Sequence, residues 1–397
     1  MPKAKDLSTL IEVTKNTQTL LTHYQSSLAP SKSNTITAIV PASAPDPSTE
    51  IANPLELLRT SSTLLKSHTT TLSLLLINPP LTASAIVTKI GNVSEGPLTG
   101  VVTAASYVPG VGQRGDVGEI MRTEMRAQVK GLLASWSEVL SIVLSIAQKQ
   151  GTKQGGSVTE AEKQQVLSAT GMVWDACDGV EKLCKDGVVG LVVKKAQELR
   201  AVLLDAIEEL KEWGEDVADD DDDDDEAENS DQDDVFATEN KLGKDDKELK
   251  ALLDKSLKKL KMMGILYQAL VKRRLKTYPA SSILEPSNTT ATNTKRKAIT
   301  EKGEGQAEGE VGEAVQSPSV KLSELMGVLK TIPETVDDIA AAFYDLDADE
   351  AQEMLDRCCG EAKTAVDLVR RSWSGQDDEF TAWSEKWVAA LNDAAAA

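Results

Sequence analysis

The stretch VVGLVVKKAQELRAVLLDAIEELKEW at residues 188–213 decides the fold. Val189, Val192, Ala196, Leu199, Leu203, Ala206, Leu210 and Trp213 recur at alternating steps of three and four, with Lys, Glu, Gln and Arg filling much of the rest. Only a helix brings such positions onto one face. The seam therefore predicts a long amphipathic helix, read as bundle core in preference to a zipper between two chains, because a monomeric bundle needs such seams too.

The same period recurs on both sides. Residues 120–147 carry Ile120, Met121, Met125, Val129, Leu132, Leu133, Trp136, Val139, Leu140, Val143 and Ala147 on one stripe. Leu7, Leu10, Ile11, Leu20, Leu21, Tyr24 and Leu28 mark a first helix. A second opens at Asn53-Pro54, a cap residue followed by Pro at the first helical position, and carries Leu57, Leu58, Leu64, Leu65, Leu72 and Leu75 up to Asn78-Pro79-Pro80. A third begins after Thr82 and breaks near Pro97. Ser157 with Glu160 predicts a capping box that opens a helix through Trp174, Cys177 and Cys184. Leu249, Leu253, Leu257, Leu260, Met263, Tyr267 and Leu270 predict another, and four more follow near residues 320–329, 333–344, 349–373 and 377–391. Few segments alternate as a strand would. The expected class is all-α, built from antiparallel bundles.

Composition bounds the function. The chain has 397 residues, 43 Lys+Arg against 63 Asp+Glu, a net charge of −20 and an aromatic fraction of only 4%. The core must be aliphatic, and a net polyanion has no general grip on nucleic acid. The N-terminus lacks an apolar signal region, and the unbroken apolar runs fall far short of the ~18 residues of a membrane span. A soluble intracellular protein with four reduced cysteines is expected, with no cofactor and no membrane partner.

Charge also divides the chain. Residues 215–234 hold 14 acidic residues and no basic one, which leaves −6 for everything else. Residues 241–276 reverse the sign to +8. Such a dense acidic run resists collapse, so a disordered loop is expected there, and a second disordered linker at 279–318, rich in Ser, Thr, Gly and Glu. The expected organisation is an N-terminal bundle at 1–214, an acidic loop at 215–243, a long basic helix at 244–278, the linker at 279–318 and C-terminal helices at 319–397.

Candidate chemistry is sparse. Gly110, Gly112 and Gly115 match GxGxxG, but Pro109 interrupts the entry and no strand follows, so a helix–helix connection is the simpler reading. Asp345, Asp347, Asp349 and Asp356 take calcium-loop spacing, yet Glu350 stands where the turn needs Gly, which leaves an acidic helix start. Cys177 and Cys184 lack two further zinc ligands, and the adjacent Cys358 and Cys359 point about 100° apart on a helix. No catalytic constellation emerges.

The candidate partner-binding residues are Asp219, Asp220, Asp221, Asp222, Asp223, Asp224, Asp225 and Glu226. They have three readings: a phosphate mimic for basic proteins, a segment folding back onto the +8 helix, or a solvated loop. Ser230, followed by Asp231 and Asp233, fits an acidophilic kinase site, and Ser317-Pro318 a proline-directed one. Lys272, Arg273, Arg274 and Lys276, and Lys295, Arg296 and Lys297, are candidate nuclear-import clusters. The first also reads as a helix C-terminus carrying its favoured charges.

Two segments carry a family resemblance: LLLINPPL from Leu74 to Leu81, closing the second helix, and GMVWDACD from Gly171 to Asp178. With the order of helices they resemble the cyclin-D-binding proteins (Grap- and cyclin-D-interacting, GCIP), best over residues 55–210. The resemblance implies vinculin-like helical bundles without catalytic activity. It also implies binding to cyclin-like or helix-loop-helix transcription regulators, in nucleus and cytoplasm. A monomeric scaffold in cell-cycle or transcriptional control is the expected function. The alternative is an acidic chaperone or adaptor for basic clients, acting through residues 216–234.

Overall fold

The computed structural model describes residues 4–29, 53–108, 117–151, 158–215, 242–243, 246–279 and 317–393. Their secondary structure is helical, with no strand among them: α1 (Ala4–Ser27), α2 (Pro54–Ile77), α3 (Ala83–Val93), a π-helical turn (Ser94–Leu98), α4 (Thr99–Ser106), α5 (Glu119–Gly151), α6 (Glu160–Glu215), α7 (Lys247–Arg273), a short 3-10 turn (Leu275–Thr277), α8 (Pro318–Tyr344), α9 (Ala348–Leu368) and α10 (Glu379–Asp393).

The chain forms two compact units, Met1–Val188 and Val189–Ala397. The division falls inside α6 and not at 214/215, where the acidic run begins. Its cause is local: Gly187 takes φ 62° and ψ −166°, a conformation essentially restricted to glycine, and bends the helix there.

In the first unit α1 packs on α3 and α5, and α2 on α3 and α4. The α5 stripe predicted from periodicity is the centre of this core, with Trp136, Met125, Val129 and Leu133 all enclosed. Among the described helices α5 is long and apolar enough to cross a membrane, and much of that apolar surface is buried in the bundle. Unbroken runs miss this property because Glu138 interrupts it. The start of α6 antiparallels α5: the Lys149 ammonium bonds Glu162, and Gly179 sits against Gln128.

The cap of α6 differs from the expected one. Thr159 closes a box there: its hydroxyl accepts from the Glu162 N–H at 3.3 Å, and the Glu162 carboxylate accepts from the Thr159 N–H at 2.9 Å, while Ser157 lies outside the described residues. Glu160 bonds Lys163 instead. Asn53 caps α2 as expected, accepting from the Glu56 N–H at 3.2 Å.

The second unit holds the rest of α6 with α7 to α10. Arg200 Nε donates to the Gly264 carbonyl at 2.9 Å, and Gly214 approaches Leu253 so closely that a Cβ would lie 2.3 Å from Leu253 Cδ2. Residue numbers rise along α6 as they fall along α7, so the two run antiparallel. Val192, Ala196, Leu203 and Leu210 of the opening seam are buried within the chain, which makes it core.

The expected break before Pro333 is absent, because α8 is continuous with Pro333 inside it. Proline supplies no N–H to the Leu329 carbonyl one turn earlier. The Tyr267 hydroxyl of α7 donates to that carbonyl instead, in a buried site. Burial raises the Tyr267 pKa and keeps it a donor.

Arg274 locks the C-terminal turn. It is 1% exposed; Nε donates to the Val369 carbonyl at 2.6 Å and Nη2 to the Arg370 carbonyl at 2.9 Å. Its fork holds Asp378 with two bonds of 2.7 Å, and its Cζ lies 4.4 Å from the Phe380 ring centroid. Asp378 in turn caps α10 through the Phe380 and Thr381 N–H groups.

Candidate functional site

The predicted site residues are not brought together. Asp219, Asp220, Asp221, Asp222, Asp223, Asp224, Asp225, Glu226 and Ser230 lie outside the described residues, as do Gly110, Gly112, Gly115 and the Lys295–Lys297 cluster. Ser317 is described: it stands exposed at the N-cap of α8, with Pro318 at the first helical position. Asp347 is a cap, accepting from the Glu350 N–H at 2.9 Å, and among the described residues no cluster of three His, Cys, Asp or Glu is arranged to hold a metal ion. The Lys272–Lys276 cluster is broken as a recognition peptide, since Arg274 is consumed by the core.

What the structure does bring together are α2 and the first part of α6. Thr70 meets Trp174, Lys66 meets Asp178, and Thr63 meets Glu181: the indole N–H donates to the Thr70 hydroxyl at 3.1 Å, the Lys66 ammonium bonds the Asp178 carboxylate, and the Thr63 hydroxyl donates to Glu181 at 2.7 Å. These pairs fall in opposite chain directions, so the helices are antiparallel. Behind them the Ser62 hydroxyl donates to the Cys177 carbonyl at 3.3 Å, fixing the register from the buried side.

Helical spacing extends this seam. Leu74 lies one turn beyond Thr70 on α2, and Gly171 and Leu167 continue the Trp174 stripe on α6. The seam is thus polar at the Lys66–Asp178 end and apolar at the other. There Leu74 is 51% exposed, Leu167 47% and Trp174 39%, while a Cβ on Gly171 would meet nothing within 4 Å. Single exposed apolar side chains are ordinary, but three that helical spacing aligns along one seam, including an indole, mark a candidate contact surface.

Trp174, on the helix that the sequence runs through Cys177 and Cys184, is exposed where Cys177 is buried. It lies against α2, with its indole N–H on the Thr70 hydroxyl and the side chain 39% exposed. Leu64, on the apolar pattern of α2, is 48% exposed, while Leu76 is buried. The cysteines beneath are inert: burial pushes the Cys177 thiol up to about 11 and that of Cys184 to about 12. No sequence signal distinguished Leu74 from its leucine neighbours.

Residues 57–216 match the family described as Grap2 and cyclin-D-interacting, N-terminal. This stretch contains α2, the α2–α6 seam and both segments that carry the resemblance. The chain is also 24% identical over 343 residues to an uncharacterized protein of Schizosaccharomyces pombe, covering 86% of this chain and 85% of that one. A match of that length extends into the second unit.

Proposed function

From the premise that residues 57–216 carry the N-terminal domain of the Grap2 and cyclin-D-interacting family, we propose that this protein is a non-catalytic helical scaffold. It binds a cyclin-like or helix-loop-helix regulator through the apolar end of the α2–α6 seam. The observation that carries the reading is that Leu74, Leu167 and Trp174 are exposed at positions that helical spacing sets along the α2–α6 seam, next to the Trp174–Thr70 bond. An amphipathic helix offers such a surface apolar positions at i, i+3 and i+4. Lys66 and Asp178 at the polar end set its orientation. Action in cell-cycle or transcriptional control, in nucleus and cytoplasm, belongs to the same proposal and rests on the family.

The test is calorimetric titration of the full chain with a D-type cyclin and with a helix-loop-helix regulator. Trp174→Ala combined with Leu74→Asp is expected to weaken binding by ~2 kcal/mol or more, about thirtyfold. Undiminished binding by that variant removes the surface, and no binding to either class removes the function. Deleting residues 216–234 separates the acidic-chaperone alternative: a loss of partner binding with the seam intact moves the function to that segment.

A further inference from the structure

The outer face of α7 is a row of lysines in an acidic chain. Lys247, Lys250, Lys258 and Lys261 are exposed along one stripe, with Asp254 as the acid among them and Glu248 turned off it. None of the four lysines forms an ion pair among the described residues. Beside the stripe, Lys211 and Glu215 of α6 and Lys250, Leu253, Leu257 and Lys261 of α7 line an open groove of about 420 Å³. Lys211 is shared between Glu208 and Glu215, and the leucines form the groove's apolar floor.

Chain connectivity identifies the occupant. Gly214 packs against Leu253, so α6 ends beside the middle of the lysine stripe. The chain returns at Leu242, whose side chain is buried, a few residues before α7 starts. Both ends of residues 216–241 are therefore held at the N-terminal half of α7. Those 26 residues carry 14 acids, 13 of them within 216–234, and span at most roughly 90 Å, against about 21 Å from Lys247 to Lys261. Tethering of this kind gives a local concentration on the order of 1 mM.

We propose that the acidic stretch 216–234 docks in cis along the lysine face of α7, so that an external anionic segment reaches Lys250, Lys258 and Lys261 only by displacing it. The contact is electrostatic and non-directional, and it weakens as salt shortens the screening length from ~10 Å at 0.1 M to ~3 Å at 1 M. This inference stands apart from the α2–α6 seam and does not depend on it.

The experiment uses the full chain with a zero-length carboxyl–amine cross-linker, read by mass spectrometry on a mixture of light and heavy isotope-labelled protein. Cross-links from residues 219–226 to Lys250, Lys258 and Lys261 within one chain are expected at 50 mM salt, with loss at 1 M. Cross-links between light and heavy chains, or links spread equally over Lys89 and Lys130, would overturn the proposal. In a second arm, a fluorescent octa-aspartate peptide is titrated against the wild type and a variant with residues 219–226 changed to Ser and Asn. With ~1 mM effective concentration and an intrinsic Kd of ~100 μM, the variant should bind about tenfold tighter. Adding Lys250→Glu and Lys258→Glu should abolish that gain, and equal affinity for wild type and neutralised variant refutes cis docking.

Discussion

Replacing Tyr267 with Phe removes one oxygen and exposes a backbone defect that the helix sequence created. Pro333 leaves the Leu329 carbonyl without its helical donor, and the Tyr267 hydroxyl fills that place at a site with both residues fully buried. Without the hydroxyl, a carbonyl is left unpaired in the core, which costs ~1–3 kcal/mol; the ring itself keeps its packing, so no cavity term adds to this. The decisive perturbation is the second one. Pro333→Ala restores an N–H at the right position, so in that background the Leu329 carbonyl keeps a partner when the hydroxyl is removed. The cost of Tyr267→Phe should then fall to ~0.5–1 kcal/mol, a coupling of ~1–2 kcal/mol between residues on different helices. Urea denaturation of the four proteins, followed by tryptophan fluorescence and by hydrogen exchange of α8 peptides, measures the cycle. Additive losses, with Tyr267→Phe costing the same in both backgrounds, would refute the account of why α8 runs through its proline.

Other consequences are as direct. Arg274→Met should cost ~3–5 kcal/mol, because it strands two buried carbonyls, whereas Asp378→Asn keeps the α10 cap and should cost clearly less; urea midpoints compare them. The Arg274 fork holds the Asp378 carboxyl down to about 2, and the Lys149 ammonium does the same for Glu162. Both depressed values mean stability that is complete above the ordinary carboxylate range and lost as pH falls through it toward 2, so acid unfolding should begin later in wild type than in Asp378→Asn by thermal melts across pH 2–5. Gly187→Ala forces an L side chain into a left-handed conformation and should cost ~1–3 kcal/mol in thermal denaturation, more than Gly171→Ala, which meets open space. Cys177 and Cys184 should resist alkylation at pH 7.5 until the protein is unfolded, since their raised pKa values keep the thiols protonated; rapid labelling of the buried Cys177 in the folded state would contradict its enclosure.

The all-α class and most of the core were legible in the sequence. Periodicity needs no tertiary information: it reports which residues share a face, and the whole predicted stripe of α7 is buried, as is that of α5 apart from Ile120. Periodicity is silent on how far around a helix burial extends. Trp174 and Leu64 share or border apolar stripes and are exposed, while Arg274, charged and one residue from the end of α7, is among the most enclosed side chains. The same limit explains Pro333, whose missing donor is replaced from another helix, and the α2–α6 seam, whose apolar end exists only once two segments a hundred residues apart lie antiparallel. The sequence by itself determined the helices, their inward faces and the segregation of charge. Tertiary structure alone decided which edges of those faces stay in solvent, because exposure at a helix edge is set by the neighbour that packs there and not by the residues of the helix.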